Sequence, residues 1–202
     1  MSTADEPTAP LVRLLSVDEA EPDARVVLEG GLELYGRLLY TWQALAHRPE
    51  ILVAYMPYLR SIAGPGSLEQ RLKELVEVRT VVLNRCRYST AHRLRSARVA
   101  GVDERSLSAA ASGRLEGLEE REQLALRLCE EVTLAPSGIR FEDARQIVSA
   151  ELLHAVKVAF TDPEIVELLA TISLWNALAR FHRTMGFALD MDPPPPDIDA
   201  LL

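Results

Sequence analysis

Apolar residues return every three or four positions along most of this chain, which is the period of a helix with one buried face. Leu52, Tyr55, Met56, Leu59 and Ile62 form one such stripe, with Pro49 where a helix's first turn tolerates proline. Gly64, Pro65 and Gly66 end it. Earlier, Ser16 and Glu19 have capping-box spacing and predict a helical stretch, broken or bent near Gly30 and Gly31 and resumed through Leu34, Leu38, Leu39 and Trp42. Ser67 and Gln70 repeat the capping pattern ahead of Leu72, Leu75, Val76, Val82 and Leu83. The next helix is predicted from Cys86 to about Ala100, stopped by Gly101. Asp103 is placed to cap a short helix through Leu107 and Ala111. Helix formers run from Leu118 to Leu134, and two further stretches are predicted over about 141–149 and 151–160. Thr161, Asp162 and Pro163 then open a long last helix carrying Ile165, Leu168, Leu169, Ile172, Trp175, Leu178 and Phe181.

No segment alternates strictly enough to predict a strand, so the fold class is all-α, one helical domain over residues 16–190. Residues 1–15, with Pro7 and Pro10, read as a flexible arm. Residues 191–202 read as a Pro-rich acidic tail, an extended arm left in solvent or draped on a partner.

Composition narrows the function classes. A net charge of −8 gives no basic footprint for phosphate backbones, so nucleic acid is not an expected partner. No apolar run reaches the roughly 18–20 residues of a membrane span. The first residues lack the basic and apolar regions of a signal peptide, so the expected location is cytoplasmic. The cysteines, Cys86 and Cys129, and the scattered His47, His92, His154 and His182 show no metal-ligand spacing, and neither metal nor cofactor is expected. Cys129 sits in an apolar helical stripe and reads as core.

Cys86 has two readings. A free cysteine most often packs as a small hydrophobe. At a helix start, however, the positive end of the helix dipole lowers a thiol's pKa, and Arg79, Arg85, Arg87 and Arg93 are near it in sequence. On a helical wheel Arg93 falls about 20° from Cys86, Ser89 about 60° and His92 about 120°. Arg93 and Ser89 are thus expected on the thiol's face and His92 off it. Glu74, on the preceding helix, can fold back toward the same point.

The stretch from Glu74 to Gly101 resembles the core motif of the carboxymuconolactone decarboxylase / alkylhydroperoxidase D family: a Glu on one helix, then Cys-x-x-Cys-x-x-x-His opening the next, then small residues ending in Gly. Glu74, Cys86 and Gly101 match in type and spacing. Ser89 stands at the second Cys position and Arg93 at the His position, with His92 one place early. The segments around His47 and Pro49, and around Phe160–Leu168 with Asn176 and Arg180, are similar to further parts of the family's peroxidase-related branch. The resemblance implies an alkylhydroperoxidase D-like helical bundle, assembly as a homo-oligomer, and an antioxidant peroxidase in which one thiolate attacks a hydroperoxide and the second closes a disulfide.

The departures change what the resemblance implies. Ser89 cannot close a disulfide, and Arg93 stays protonated and cannot act as a base. The leading expectation is a thiol-dependent peroxidase or oxidoreductase with Cys86 as its single reactive thiol. Glu74 would accept a proton, Ser89 and Arg93 would give polar support, and an external thiol would reduce the sulfenic acid. One alternative is decarboxylase-type chemistry on a small organic acid, with Glu74 or His92 moving protons. Another is a non-catalytic oligomeric family member.

Overall fold

The computed structural model describes residues 9–134 and 147–202. Among these residues the chain forms α1 (Pro22–Tyr35), α2 (Tyr40–Leu45), α3 (Pro49–Ala63), α4 (Gln70–Leu83), α5 (Arg87–Val99), α6 (Glu104–Ser112), α7 (Glu120–Leu134), α8 (Ala150–Ala159), α9 (Asp162–Met185) and α10 (Pro196–Asp199). The architecture is all-helical, as the apolar period predicts. None of these helices is long and apolar enough to cross a membrane.

Helix α4 is the axis of the bundle, packed against α5, α6, α7 and α9. From Leu72 to Val82 nearly every residue on it is buried. A helix covered on all sides must also bury its polar residues, and each of those needs a partner. Lys73 is fully buried and donates to the Ile62 carbonyl (3.2 Å), the Gly64 carbonyl and Glu167 (2.8 Å). Glu74 accepts from Gln70 (2.9 Å) and Ser96 (3.0 Å), and Glu77 from Arg93 (2.8 Å).

Three apolar clusters follow from this arrangement. The largest joins α4, α6, α7, α8 and α9 through residues such as Leu75, Leu107, Leu126, Leu128, Leu168 and Ile172. A second holds α1 to α2 and α3 through Leu28, Trp42 and Leu52. The third surrounds Cys86, with Val81, Tyr88, Trp175, Leu178 and Ala179.

Several boundaries differ from the sequence expectations for physical reasons. The Ser16–Glu19 pair does form, with the Ser16 amide and hydroxyl both 2.9 Å from the Glu19 carboxylate, but it closes a turn and α1 begins only at Pro22. Helix α1 then runs straight through Gly30 and Gly31. Gly31 is needed for packing, because a Cβ there would run into the Trp42 ring. The break comes at Gly36, in the left-handed region at φ 68°. The Ser67 amide donates to Glu167 of α9 (2.5 Å) rather than to a local cap, and α4 starts at Gln70. Most of the helix expected over 141–149 lies outside the described residues, and 147–149 are not helical.

Both expected arms are docked where they are described. Leu11 N–H donates to the Met185 carbonyl (2.8 Å), and Leu15 is buried. In the tail, Ile198 is buried in the largest cluster and Asp199 accepts both Arg87 bonds (2.7 and 3.0 Å). The isoleucine in the middle of the acidic residues is what the reading of a solvated arm underweighted.

Candidate active site around Cys86

The turn between α4 and α5 sets the position of the thiol. Asn84 ends α4, and Arg85 takes a left-handed conformation (φ 50°) that bends the chain back. The Cys86 amide then donates to the Val81 carbonyl (3.1 Å). Cys86 itself is the N-cap of α5, and its sulfur takes the place of the usual capping oxygen, accepting from the Ser89 amide at 3.4 Å. Sγ also lies 3.0 Å from Ser89 Oγ. Ser89 Oγ is in turn 2.7 Å from His182 Nδ1, and His182 Nε2 is 2.9 Å from Thr41 Oγ1. Helices α5, α9 and α2 thus meet at one buried hydrogen-bonded line.

Burial dominates the electrostatics here. Cys86 is fully buried, and desolvation pushes its thiol above the ordinary value against the opposing Ser89 hydrogen bonds and the charge of Arg183. The lowered pKa expected from the helix dipole is therefore reversed. Three of the four arginines expected to help are spent elsewhere, Arg79 on Glu130 (2.6 Å), Arg87 on Asp199 and Arg93 on Glu77, and Arg85 is exposed. Burial also drives His182 down to about 3, helped by the charges of His92 and Arg93. At neutral pH the ring is neutral, with one nitrogen donating and one accepting.

Of the residues singled out in the sequence, Cys86 and Ser89 come together, and Glu74, Arg93 and His92 lie apart from them. Glu74 is bonded to Gln70 and Ser96, toward the far end of α5. Arg93 packs its guanidinium 4.1 Å from the Trp175 ring centre and makes a single bond to Glu77. Glu74 Oε2, Glu77 Oε1 and Arg93 Nε are buried without a hydrogen-bond partner among the described residues. Burial pushes the Glu77 carboxyl up, while Arg93 beside it pulls the other way. His92 Nε2 is 2.7 Å from Asp190 Oδ1. Among the described residues no group of three or more His, Cys, Asp or Glu side chains is placed to hold a metal ion.

Sequence reasoning passed over His182, Thr41, Tyr88 and Asp190. One signal was available. Leu168, Ile172, Trp175, Ala179 and His182 follow steps of four and three on α9, so the histidine closes an otherwise apolar buried stripe. Asp190 had no such signal, because only the folded tail brings it to Tyr88 (2.8 Å) and His92.

Residues 49–131 match the model of the carboxymuconolactone decarboxylase family. No curated protein matches the sequence significantly. Among solved structures, an uncharacterised peroxidase-related protein from Ralstonia eutropha JMP134, described as an alkylhydroperoxidase AhpD core, is similar at 19% identity and TM-score 0.73, over 97% of this chain and 96% of the other. A peroxidase-related protein from Silicibacter sp. TM1040 is similar at 19% identity and TM-score 0.71, over 98% and 97%. The debrominase Bmp8, as a cysteine-to-alanine variant in complex with 2,3,4-tribromopyrrole, is similar at 17% identity and TM-score 0.74, over 97% of each chain. Residues 49–131 are thus similar to the carboxymuconolactone decarboxylase family, within a chain whose overall fold is that of alkylhydroperoxidase D core structures.

Proposed function

We propose that the chain is a thiol-dependent peroxidase-like oxidoreductase working through Cys86 alone. The observation that carries this reading is the line from Cys86 Sγ to Ser89 Oγ (3.0 Å) and on to His182 Nδ1 (2.7 Å). It gives the thiol proton a route: S–H to the serine oxygen, the serine proton to the imidazole. The resulting thiolate attacks the terminal oxygen of a hydroperoxide, the O–O bond breaks, and the leaving alkoxide takes the proton back from the imidazolium, giving a sulfenic acid and an alcohol. An external thiol then forms a mixed disulfide with loss of water, and a second thiol restores Cys86. In the closed site the thiol is raised and the histidine depressed, so the neutral pair rests. Turnover on this reading requires the cover over Cys86 to open, because entering substrate and water would return both groups toward their ordinary values and make the proton transfer accessible.

Arg93 is held by Glu77 and Trp175 and is not free to grip a substrate carboxylate, so the geometry favours thiol chemistry over decarboxylation of an organic acid. A halogenated aromatic is the second electrophile class, because Tyr40, Tyr88 and Phe187 form an aromatic cover beside Cys86. The same reading includes a cytoplasmic homo-oligomer with a small thiol as reductant.

The test compares the native chain with Cys86→Ser and His182→Gln. Organic hydroperoxide consumption is followed with a dithiol reductant, alongside sulfenate trapping at Cys86 and halide release from a brominated pyrrole. Consumption that depends on Cys86, with a trapped sulfenate, supports the peroxidase reading. Equal consumption by Cys86→Ser and no trapped adduct in the native chain would sink it.

A further inference from the structure

The side chain that completes the buried line at Cys86 comes from beyond α9. Gly186 ends that helix in the left-handed region (φ 68°), and the chain returns so that Asp190 sits beside α2 and α5. Its backbone carbonyl accepts from Arg37, which pins the segment. Its carboxylate accepts from the Tyr88 hydroxyl (2.8 Å) and the Tyr40 amide (3.3 Å) at one oxygen, and from His92 Nε2 (2.7 Å) at the other. Tyr88 OH is also 3.5 Å from Thr41 Oγ1, the group that meets His182 Nε2.

We infer that Asp190 is a positioning residue, fixing His182 through Tyr88 and Thr41 in the tautomer with its proton on Nε2, so that Nδ1 is left to accept from Ser89. The argument counts hydrogens. An ionised carboxylate only accepts, so Tyr88 must spend its single hydrogen on Asp190. The Tyr88 oxygen then serves Thr41 only as an acceptor, and the Thr41 hydrogen points to Tyr88. The Thr41 oxygen, in turn, accepts from His182 Nε2–H. Nδ1 therefore carries no proton and accepts from Ser89 O–H, whose oxygen is left to accept from the Cys86 thiol. Reversing the line gives up the Thr41–Tyr88 bond or, if that bond is kept, sets the Tyr88 oxygen against a carboxylate with no hydrogen between them, at the cost of a charge-assisted bond. Burial opposes ionisation of Asp190, but the hydrogen bonds from His92 and Tyr88 hold its carboxyl below the ordinary value, so the acceptor is present at neutral pH.

The tautomer assignment stands on the hydrogen-bond geometry around an ionised Asp190, and its consequence for thiol reactivity rests on the proposed role of Cys86. The experiment uses the full chain labelled with 15N on histidine. The ring nitrogen shifts of His182 are read at neutral pH, and the rate of Cys86 alkylation by iodoacetamide is measured in parallel. The native chain is expected to show His182 as the Nε2–H form alone. Tyr88→Phe and Asp190→Leu are expected to mix the tautomers and slow alkylation by about tenfold, less than the roughly 10²–10⁴-fold of a proton acceptor lost outright, because part of the population keeps Nδ1 free. Asp190→Asn keeps an acceptor oxygen for Tyr88 and is expected to restore much of both readouts. An Nδ1–H form in the native chain overturns the inference without need of any variant. So does an unchanged tautomer in both Tyr88→Phe and Asp190→Leu. Absence of hydroperoxide turnover in the native chain would remove the proposed function and leave the tautomer result to stand or fall separately.

Discussion

Ser89 Oγ and His182 Nδ1 stand 2.7 Å apart, joining the first turn of α5 to the last turn of α9 across 93 residues of sequence. Ser89 also stands three residues after Cys86, one helical turn on, and its Oγ is 3.0 Å from the Cys86 sulfur. Ser89→Cys is therefore expected to place a second sulfur within closing distance of the first. Treated with hydroperoxide, that variant should lose both Cys86 and the introduced thiol to alkylation, with a mass two hydrogens lighter after reaction. Two freely alkylated thiols after treatment would show that the α5 start cannot rearrange to the disulfide.

Arg93 and Glu77 form a buried pair, fully covered at the glutamate and bonded once at 2.8 Å. Removing one partner of such a pair strands the other charge, which typically costs about 3–5 kcal/mol. Arg93→Met is expected to show a loss of that order in urea unfolding at pH 8. The stranded Glu77 already has its carboxyl raised by burial and will rise further without Arg93. A raised acid binds its proton more tightly in the folded state, so the variant should regain stability as pH falls from 8 to 5. The double variant Glu77→Gln with Arg93→Met should recover much of the loss. A pH-independent loss in the single variant would contradict this account.

The C-terminal segment is held by burial more than by charge. Ile198 is 2% exposed in the main apolar cluster, whereas the Arg87 side chain that meets Asp199 is 53% exposed. Ile198→Ala is expected to cost about 2–4 kcal/mol, in the range for large-to-small core changes. Asp199→Asn removes a largely solvated ion pair and should cost less than about 1 kcal/mol. Thermal unfolding of the two variants checks the order, and an equal or reversed pair of losses would move the anchor to the ion pair.

Glu164 caps α9. Its carboxylate accepts from the Thr161 amide (2.8 Å) and hydroxyl (2.9 Å) and from Arg121 (2.6 Å). The Thr161 amide, followed by Arg121 and the Thr161 hydroxyl, brings its pKa down to about 2. A depressed carboxyl contributes stability above its unfolded value, and that contribution is lost as pH falls toward the folded one. Glu164→Gln should cost about 1 kcal/mol at pH 7, the usual size of a lost cap. The gap to the native chain should close between about pH 4.5 and 2. A gap that persists at pH 2 would assign the loss to packing instead.

Much of the helical order was legible because burial on one face writes a period into the chain. Pro49, Asp103 and Thr161 mark helix starts where the structure has them. Two of the failures share one cause. At Ser67 and Gly31 the local pattern was present, but its use was decided elsewhere in the fold: Glu167 took the Ser67 amide, and the Trp42 ring took the space at Gly31. At the candidate site, Cys86 and Ser89 were visible together because one helical turn separates them. His182 and Asp190 were not. No local rule joins a histidine to a serine 93 positions away, or an aspartate to a tyrosine 102 positions away.

The sequence by itself determined the helices, the all-α class and the thiol at a helix start, since these depend on neighbours within a turn or two. The tertiary structure decided what that thiol meets. It buried Cys86 so fully that desolvation outweighs the helix dipole, and it turned Arg79, Arg87 and Arg93 to carboxylates on other elements. It also supplied a histidine from α9 and a carboxylate from the tail. Local rules fix backbone conformation because hydrogen bonds of a helix close within four residues. The acidity of a buried group depends on everything packed around it, and only the fold brings those groups together.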